Sequence, residues 1–232
     1  MFRRRRHQYI DFRGDEMPIS EVKCCDCMDF MAQFPDKYFD LAIVDPPYGL
    51  DKRLESGGGK MRNTPFKKLY REGNKWDKIP EAEYWNMLFR VSKNQIVWGG
   101  NYFHNLHLEG VIVWYKKGSG NFKEGEFAKT SINTFKVFGY SRADAYINCG
   151  DVKIHPTQKP TKLYEWLLLN YAKPNDKILD THLGSGSIAI AIDKANTLDK
   201  KNLTFVGIEL DPDYFRSAVE RFKNHKRQLT IF

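Results

Sequence analysis

Short runs of β-branched and aromatic residues alternate along the chain with segments whose apolar positions recur at helical spacing. The runs predict strands near Val22–Cys25, Leu41–Val44, Gln95–Trp98, Val111–Trp114, Ile132–Val137, Lys177–Asp180 and Thr204–Ile208. The periodic segments predict helices over Asp29–Gln33, Glu81–Val91, Thr161–Tyr171, Ser187–Lys194 and Tyr214–Lys226. Within Thr161–Tyr171, for example, Tyr164, Leu167, Leu168 and Tyr171 fall on one helical face. Strands alternating with helices in this way predict an α/β protein with a largely parallel sheet. One stretch carries neither period. From Gly49 to Lys75 there are eight basic residues (Lys52, Arg53, Lys60, Arg62, Lys67, Lys68, Arg71, Lys75) against three acidic ones, with Gly57-Gly58-Gly59 near the middle. Aperiodic segments of that length in compact domains often serve as lids or binding loops. This one reads as a mobile basic loop (49–75) that orders on nucleic acid.

Composition narrows the class. A chain of 232 residues with 41% hydrophobic content supports one sizeable core rather than two domains. No apolar run approaches the roughly 20 residues of a membrane span, so no membrane partner is expected. The formal charge of +8 favours a polyanion. Cys24, Cys25 and Cys27 crowd into one tetrapeptide, far from Cys149. That is a poor disulfide framework and lacks the paired C-x-x-C spacing of a structural zinc site, so reduced thiols in a cytosolic protein are expected, and no metal. Arg3 to Arg6 lie in a basic N-terminal tail (residues 1–20) with no apolar stretch behind them, which excludes a secretory signal.

Three motifs carry chemistry. Asp45-Pro46-Pro47-Tyr48 follows the apolar strand at Leu41–Val44. Two prolines cannot continue a central strand, so the chain leaves the sheet there, at the carboxyl edge where open α/β sheets bind ligands. A carboxylate, a free Pro46 carbonyl and an aromatic face suit a planar ring bearing an exocyclic amine. The second motif, Asp180-Thr181-His182-Leu183-Gly184-Ser185-Gly186-Ser187, follows a strand and opens a helix. Its glycines permit close backbone approach, and Glu209 at the end of a later strand is placed to accept ribose hydroxyls. This half reads as a nucleoside-cofactor site, which by itself leaves a dinucleotide and S-adenosylmethionine both open. The third, His155-Pro156-Thr157-Gln158-Lys159-Pro160, precedes a helix with Pro160 read as its first residue, and its Lys159 is placed either to meet a carboxylate or to face solvent.

Taken in order, these segments resemble the permuted β group of amino-methylating DNA methyltransferases, and especially the short phage and prophage adenine enzymes. The resemblance runs from about Cys24 to Phe222 through C-D-C-M-D-F-M, D-L-A-I-V-D-P-P-Y-G-L, I-V-W-G-G-N-Y-F, E-F-A-K-T-S, H-P-T-Q-K-P, I-L-D-T-H-L-G-S-G-S and F-V-G-I-E-L-D. It implies a single Rossmann-like domain over 21–232, with a mostly parallel seven-stranded sheet flanked by helices and a circularly permuted motif order. It implies S-adenosylmethionine as cofactor, held by Asp180, Leu183, Gly184, Ser185 and Gly186, with Glu209 on the ribose, Asp26 toward the adenine amine and Thr157 and Lys159 near the methionine moiety. Asp45, Pro46, Pro47 and Tyr48 would hold the target base, and the Asp of this motif leans toward adenine N6. Many members of that group carry Pro-Phe where this chain has Thr181-His182.

The implied partner is double-stranded DNA with the target base flipped out, in the cytoplasm of a bacterial or phage-infected cell, and a homodimer is compatible with the group. The segment that would read sequence, about 115–154, is short, so relaxed specificity is expected. Affinity would then come mainly from phosphate contacts of Lys52, Arg53, Lys60, Arg62, Lys67, Lys68, Arg71, Lys116 and Lys117, and would fall steeply with salt. The competing readings are a cytosine-N4 or RNA-directed enzyme, a catalytically silent DNA-binding protein of the same fold, and a nicotinamide oxidoreductase, which leaves D-P-P-Y unexplained.

Overall fold

A computed structural model describes residues 9–11, 20–49, 77–118, 124–141, 143–145, 154–155 and 157–229. Nine described strands form one sheet: β1 (Tyr9–Asp11), β2 (Glu21–Cys24), β3 (Phe39–Val44), β4 (Ser92–Trp98), β5 (Gly110–Tyr115), β6 (Gly125–Thr130), β7 (Phe135–Gly139), β8 (Lys177–Asp180) and β9 (Thr204–Glu209). Five α-helices accompany them among the described residues: α1 (Cys27–Met31), α2 (Ala82–Val91), α3 (Thr161–Tyr171), α4 (Ser187–Thr197) and α5 (Pro212–Leu229). The spatial strand order is β1-β2-β9-β8-β3-β4-β6-β5-β7. The run from β2 to β4 is parallel throughout, whereas β6 pairs antiparallel with both β4 and β5, and β1 pairs antiparallel with β2.

The sheet is therefore mixed and has nine described strands, which corrects the expectation of seven. β6 went unread because Gly125-Glu126-Phe127-Ala128-Lys129-Thr130 places charged residues among few apolar ones. Its backbone is nonetheless paired on both sides, and Ala128 and Thr130 are fully buried. β1 is three residues long inside the segment read as a basic tail. Pro160 is also not the first helical residue of α3. It occupies the N-cap with extended backbone (φ −64°, ψ 143°), and Thr161 opens the helix.

Both faces of the sheet are covered, which explains why the central strands are almost wholly apolar rather than alternating. Leu41 and Ile43 of β3, Ile96 and Trp98 of β4 and Ile178 of β8 pack on one face with α3, α4 and α5 through Leu163, Leu167, Ile188 and Phe215. Ala42, Val44, Val97 and Leu179 pack on the other face with α1 and α2 through Phe30, Met31, Trp85 and Leu88. Each fully buried aliphatic or aromatic side chain contributes about 1.5–3 kcal/mol to such a core. The connection after β3 runs through α2 to β4 on one side, and that after β8 runs through α4 to β9 on the other. The crossovers part between β3 and β8, so a crevice opens at the carboxyl ends of those two strands, the expected ligand position of an open α/β sheet.

Candidate active site

The carboxyl ends of β2, β9, β8 and β3 lie side by side and each delivers an acid: Asp26 just past β2, Glu209 ending β9, Asp180 ending β8 and Asp45 just past β3. Asp26 is the N-cap of α1, accepting from the Met28 N–H at 2.7 Å. Glu209 accepts from the Gly184 and Asp211 N–H groups at 2.8 and 2.9 Å. It thereby ties the end of β9 to the glycine turn. Asp180 is buried and accepts from the His182 N–H at 3.0 Å. Burial pushes its carboxyl up to about 8; the His182 N–H opposes the rise, while the nearby charges of Asp45 and Glu209 add to it. Burial also raises the Glu209 carboxyl.

The turn between β8 and α4 uses glycine where the backbone requires it. Gly184 (φ +53°) and Gly186 (φ +70°) are left-handed, a region where glycine avoids the strain of a Cβ. Arg221 of α5 braces this turn from behind, donating to Ser185 O and Ser187 Oγ at 2.9 Å each. Ser187 Oγ in turn donates to Lys159 O at 2.8 Å, joining the turn to the segment before α3. Thr181 Oγ1 meets Tyr84 OH of α2 at 2.7 Å and His182 Nδ1 at 2.9 Å. Burial drops the His182 imidazole to about 4, so it is neutral at pH 7. Thr181 and His182 thus form a polar link to α2.

Asp45 and Tyr48 sit beside this turn. The Tyr48 hydroxyl donates to Asp45 Oδ1, and the Lys159 ammonium meets Asp45 Oδ2 at 2.5 Å and Tyr48 OH at 3.1 Å. Tyr48 stacks on Tyr102, with ring centroids 5.0 Å apart and planes at 16°. Its ring lies over Gly99 so closely that a Cβ there would fall 2.1 Å from Tyr48 Cε1. Gly49 N–H donates to the buried Asp77 carboxylate at 2.8 Å.

Lys159 meets a carboxylate, one of the two placements the sequence left open: its buried ammonium lies in the Asp45 cluster and also contacts Glu126 of β6 at 3.3 Å. Burial alone would favour the neutral amine, but Asp45 and Glu126 outweigh it and hold Lys159 charged. Lys116 was expected on DNA. Instead it is 7% exposed and bound to Glu126 at 2.6 Å, so it does not offer its charge at the surface. Lys117 is exposed. The basic residues Lys52, Arg53, Lys60, Arg62, Lys67, Lys68 and Arg71, and the Arg3 to Arg6 tail, lie outside the described residues. Sequence reasoning missed Glu126, Tyr102 and Tyr84. The alternation of Glu126, Ala128 and Thr130 was the one available signal for the first, and the Gly-Gly-Asn-Tyr-Phe strand end for the second.

The donor set suits a nucleoside-bearing cation. Carboxylates at neighbouring strand ends can accept from hydroxyls and amines and favour positive charge, while the Gly184–Gly186 backbone leaves room for close approach. Residues 108–220 match a family model described as DNA methylase. The chain is 26% identical over 223 residues to a putative methylase, YubD, of Escherichia coli (strain K12), covering 88% of this chain and 90% of that one. Its fold is similar to that of the M1.HpyAVI–SAM complex (TM-score 0.55, 18% identity, 87% of this chain and 98% of that one). It is also similar to that of the PvuII DNA methyltransferase, cytosine-N4-specific (TM-score 0.54, 14% identity, 88% and 86%). Across just under half of its length the chain is thus similar to DNA methylases, and its fold is similar to those of DNA methyltransferases.

Proposed function

We propose that this chain methylates the exocyclic N6 amine of adenine in double-stranded DNA after flipping the base, with short or relaxed sequence preference. The observation that carries the reading is the adjacency of Asp45 and Tyr48 to the Asp180–Gly186 turn across the β3/β8 crevice. S-adenosylmethionine, when bound, supplies an electrophilic methyl group on a sulfonium. The residues suited to hold it are Asp180, Leu183, Gly184, Ser185, Gly186, Glu209 and Asp26, with Thr157 at the margin.

The work of this chain is to make a poor nucleophile act. An adenine N6 lone pair is delocalised into the ring. Asp45 and the Pro46 carbonyl, accepting its two N–H groups, favour a pyramidal nitrogen whose lone pair points away from the ring. Each carboxylate oxygen has two acceptor directions, so Asp45 can take an amine hydrogen while Tyr48 and Lys159 remain bound. Positioning and charge stabilisation supply most of the acceleration. Tyr48, itself stacked on Tyr102, is the aromatic partner for the flipped base, which offsets part of the few kcal/mol of unstacking. In this reading the 49–75 loop and Lys117 contact phosphates, residues 115–154 supply a minimal recognition segment, and the domain spans 21–232. A homodimer in the cytoplasm of a bacterial or phage-infected cell completes the proposal.

The test uses purified protein, unmethylated duplex and S-adenosylmethionine with a labelled methyl group, followed by nucleoside analysis by mass. Label in N6-methyl-2′-deoxyadenosine is expected. Label in N4-methylcytosine would transfer the same geometry to cytosine, the base in the name of the PvuII enzyme. Asp45→Ala is expected to abolish transfer while cofactor binding persists; loss of both would refute the role given to Asp45.

A further inference from the structure

We propose that Glu126 is a positioning residue for methyl transfer, sharing the Lys159 ammonium with Asp45 so that the cation orients Asp45 without cancelling its charge. The inference rests on the methyltransferase reading above and names a residue that the family motifs assigned to the cofactor or target base do not include. Four charged groups alternate in sign through the site. Asp45 Oδ2 lies 2.5 Å from Lys159 Nζ, and Glu126 Oε2 lies 3.3 Å from the same nitrogen. Lys116 Nζ lies 2.6 Å from the other Glu126 oxygen, Oε1. Lys159 is 3% exposed, so solvent screens these contacts little. The two central partners come from distant elements, β6 and the segment before α3, and meet at the end of β3.

The chemistry gives the arrangement a purpose. In methyl transfer to an amine the nitrogen lone pair forms the new N–C bond, and the S–C bond breaks with its electron pair staying on sulfur. A proton then leaves the nitrogen for water. Positive charge therefore builds on the amine, beside Asp45. A lysine bound to Asp45 alone would neutralise that carboxylate and compete with the amine for Oδ2. Glu126 divides the ammonium between two carboxylates, so negative charge remains at the amine while Lys159 still fixes Asp45. Lys116 balances Glu126 on its far side, with its ammonium 5.0 Å over the Trp114 ring. Burial opposes ionisation of Glu126, but Lys159 and Lys116 outweigh it and hold its carboxyl below the usual value.

The test compares E126Q, K159M and the double variant in single-turnover transfer to duplex DNA, with affinities for S-adenosylmethionine and for DNA measured separately. Expected for E126Q is a rate at least tenfold below wild type with both affinities within twofold. The double variant, which also removes the cation that would then bind Asp45 alone, is expected to be faster than E126Q. A double variant equal to or slower than E126Q, or an E126Q rate within twofold of wild type, would overturn the inference. Should E126Q melt well below wild type, E126D decides: a rate above that of E126Q supports the shared cation, and an equal rate overturns it. A wild-type protein that transfers no methyl would overturn the methyltransferase reading itself.

Discussion

Gly99 lies against the Tyr48 ring, and replacing it with alanine separates the cost of folding from the cost of a displaced ring. Two effects are expected. Gly99 has φ +71°, and an alanine in that left-handed region costs about 1–2 kcal/mol. For a domain of this size each kcal/mol lowers Tm by about 2–4 °C, so a fall of about 2–8 °C is expected. The added Cβ would also lie 2.1 Å from Tyr48 Cε1 and 2.6 Å from Cδ1 and Cζ. The neighbour that must yield is a side-chain ring rather than backbone, so the displacement falls on Tyr48 and the fold survives. Loss of base–aromatic stacking is worth about 1–3 kcal/mol. At 1.4 kcal/mol per tenfold, transfer should slow by roughly fivefold to a hundredfold.

The control is Gly118→Ala. That glycine has φ +75°, nearly the same backbone conformation, but an added Cβ would meet nothing within 4 Å. It should show a similar fall in Tm and no comparable loss of rate. The assay pairs thermal melting with methyl transfer at a temperature where both variants are fully folded. Equal loss of activity in the two variants would refute the argument, since strain alone would then explain both. A Gly99→Ala protein with wild-type rate would show that Tyr48 does not need its present seat.

Two further predictions concern buried titratable groups. His182 is held at about 4 against 6.5. As pH falls below 6.5 the unfolded chain takes up a proton that the fold refuses, so stability declines down to about pH 4, by at most about 3 kcal/mol. Solvent screening at this half-buried side chain reduces that figure. His182→Phe should flatten this slope in denaturant titrations between pH 6.5 and 4, and an unchanged slope would sink the assignment. Asp180 has the opposite form, a carboxyl raised to about 8. Above pH 4 the unfolded state ionises and the fold does not, so stability is lost progressively up to pH 8. Asp180→Asn can still accept the His182 N–H. It should raise Tm of the cofactor-free protein at pH 7–8 while weakening S-adenosylmethionine binding; a lower Tm at pH 8 would contradict this.

The parallel half of the sheet was readable because its strands are continuous apolar runs bounded by turn residues, and its helices carry one apolar stripe. All seven strands and five helices expected from the pattern have counterparts, and α3 has the expected bounds. β6 was not readable, because its role is partly electrostatic. Glu126 and Lys129 break the apolar pattern that identifies a strand, and Glu126 finds its partners 33 residues ahead in Lys159 and ten residues behind in Lys116. The site divides in the same way. Asp45, Tyr48, Gly184 and Glu209 announce themselves at strand ends, where local sequence fixes their place. Tyr102 and the placement of Lys159 on Asp45 depend on which elements become neighbours, and that is a property of the sheet order.

That sheet order also explains how the site holds its acids. Each of the four at neighbouring strand ends is restrained by a different device. Asp26 caps a helix, Glu209 takes two backbone N–H groups, Asp180 takes one, and Asp45 binds a buried ammonium. Lys159 is shared between Asp45 and Glu126, whereas Asp180 rests on a single neutral donor and is the acid most strongly raised. Negative charge is thereby concentrated at Asp45, where the proposed reaction builds positive charge on a base amine, and proton uptake relieves it at Asp180, in the proposed cofactor pocket. A cationic, hydroxyl-bearing ligand there would offset the strain of burying Asp180 and stabilise the fold by mass action, about 2.7 kcal/mol at a hundred times its Kd. Asp180→Asn should therefore be more stable than wild type without cofactor and gain less stability than wild type when S-adenosylmethionine is added.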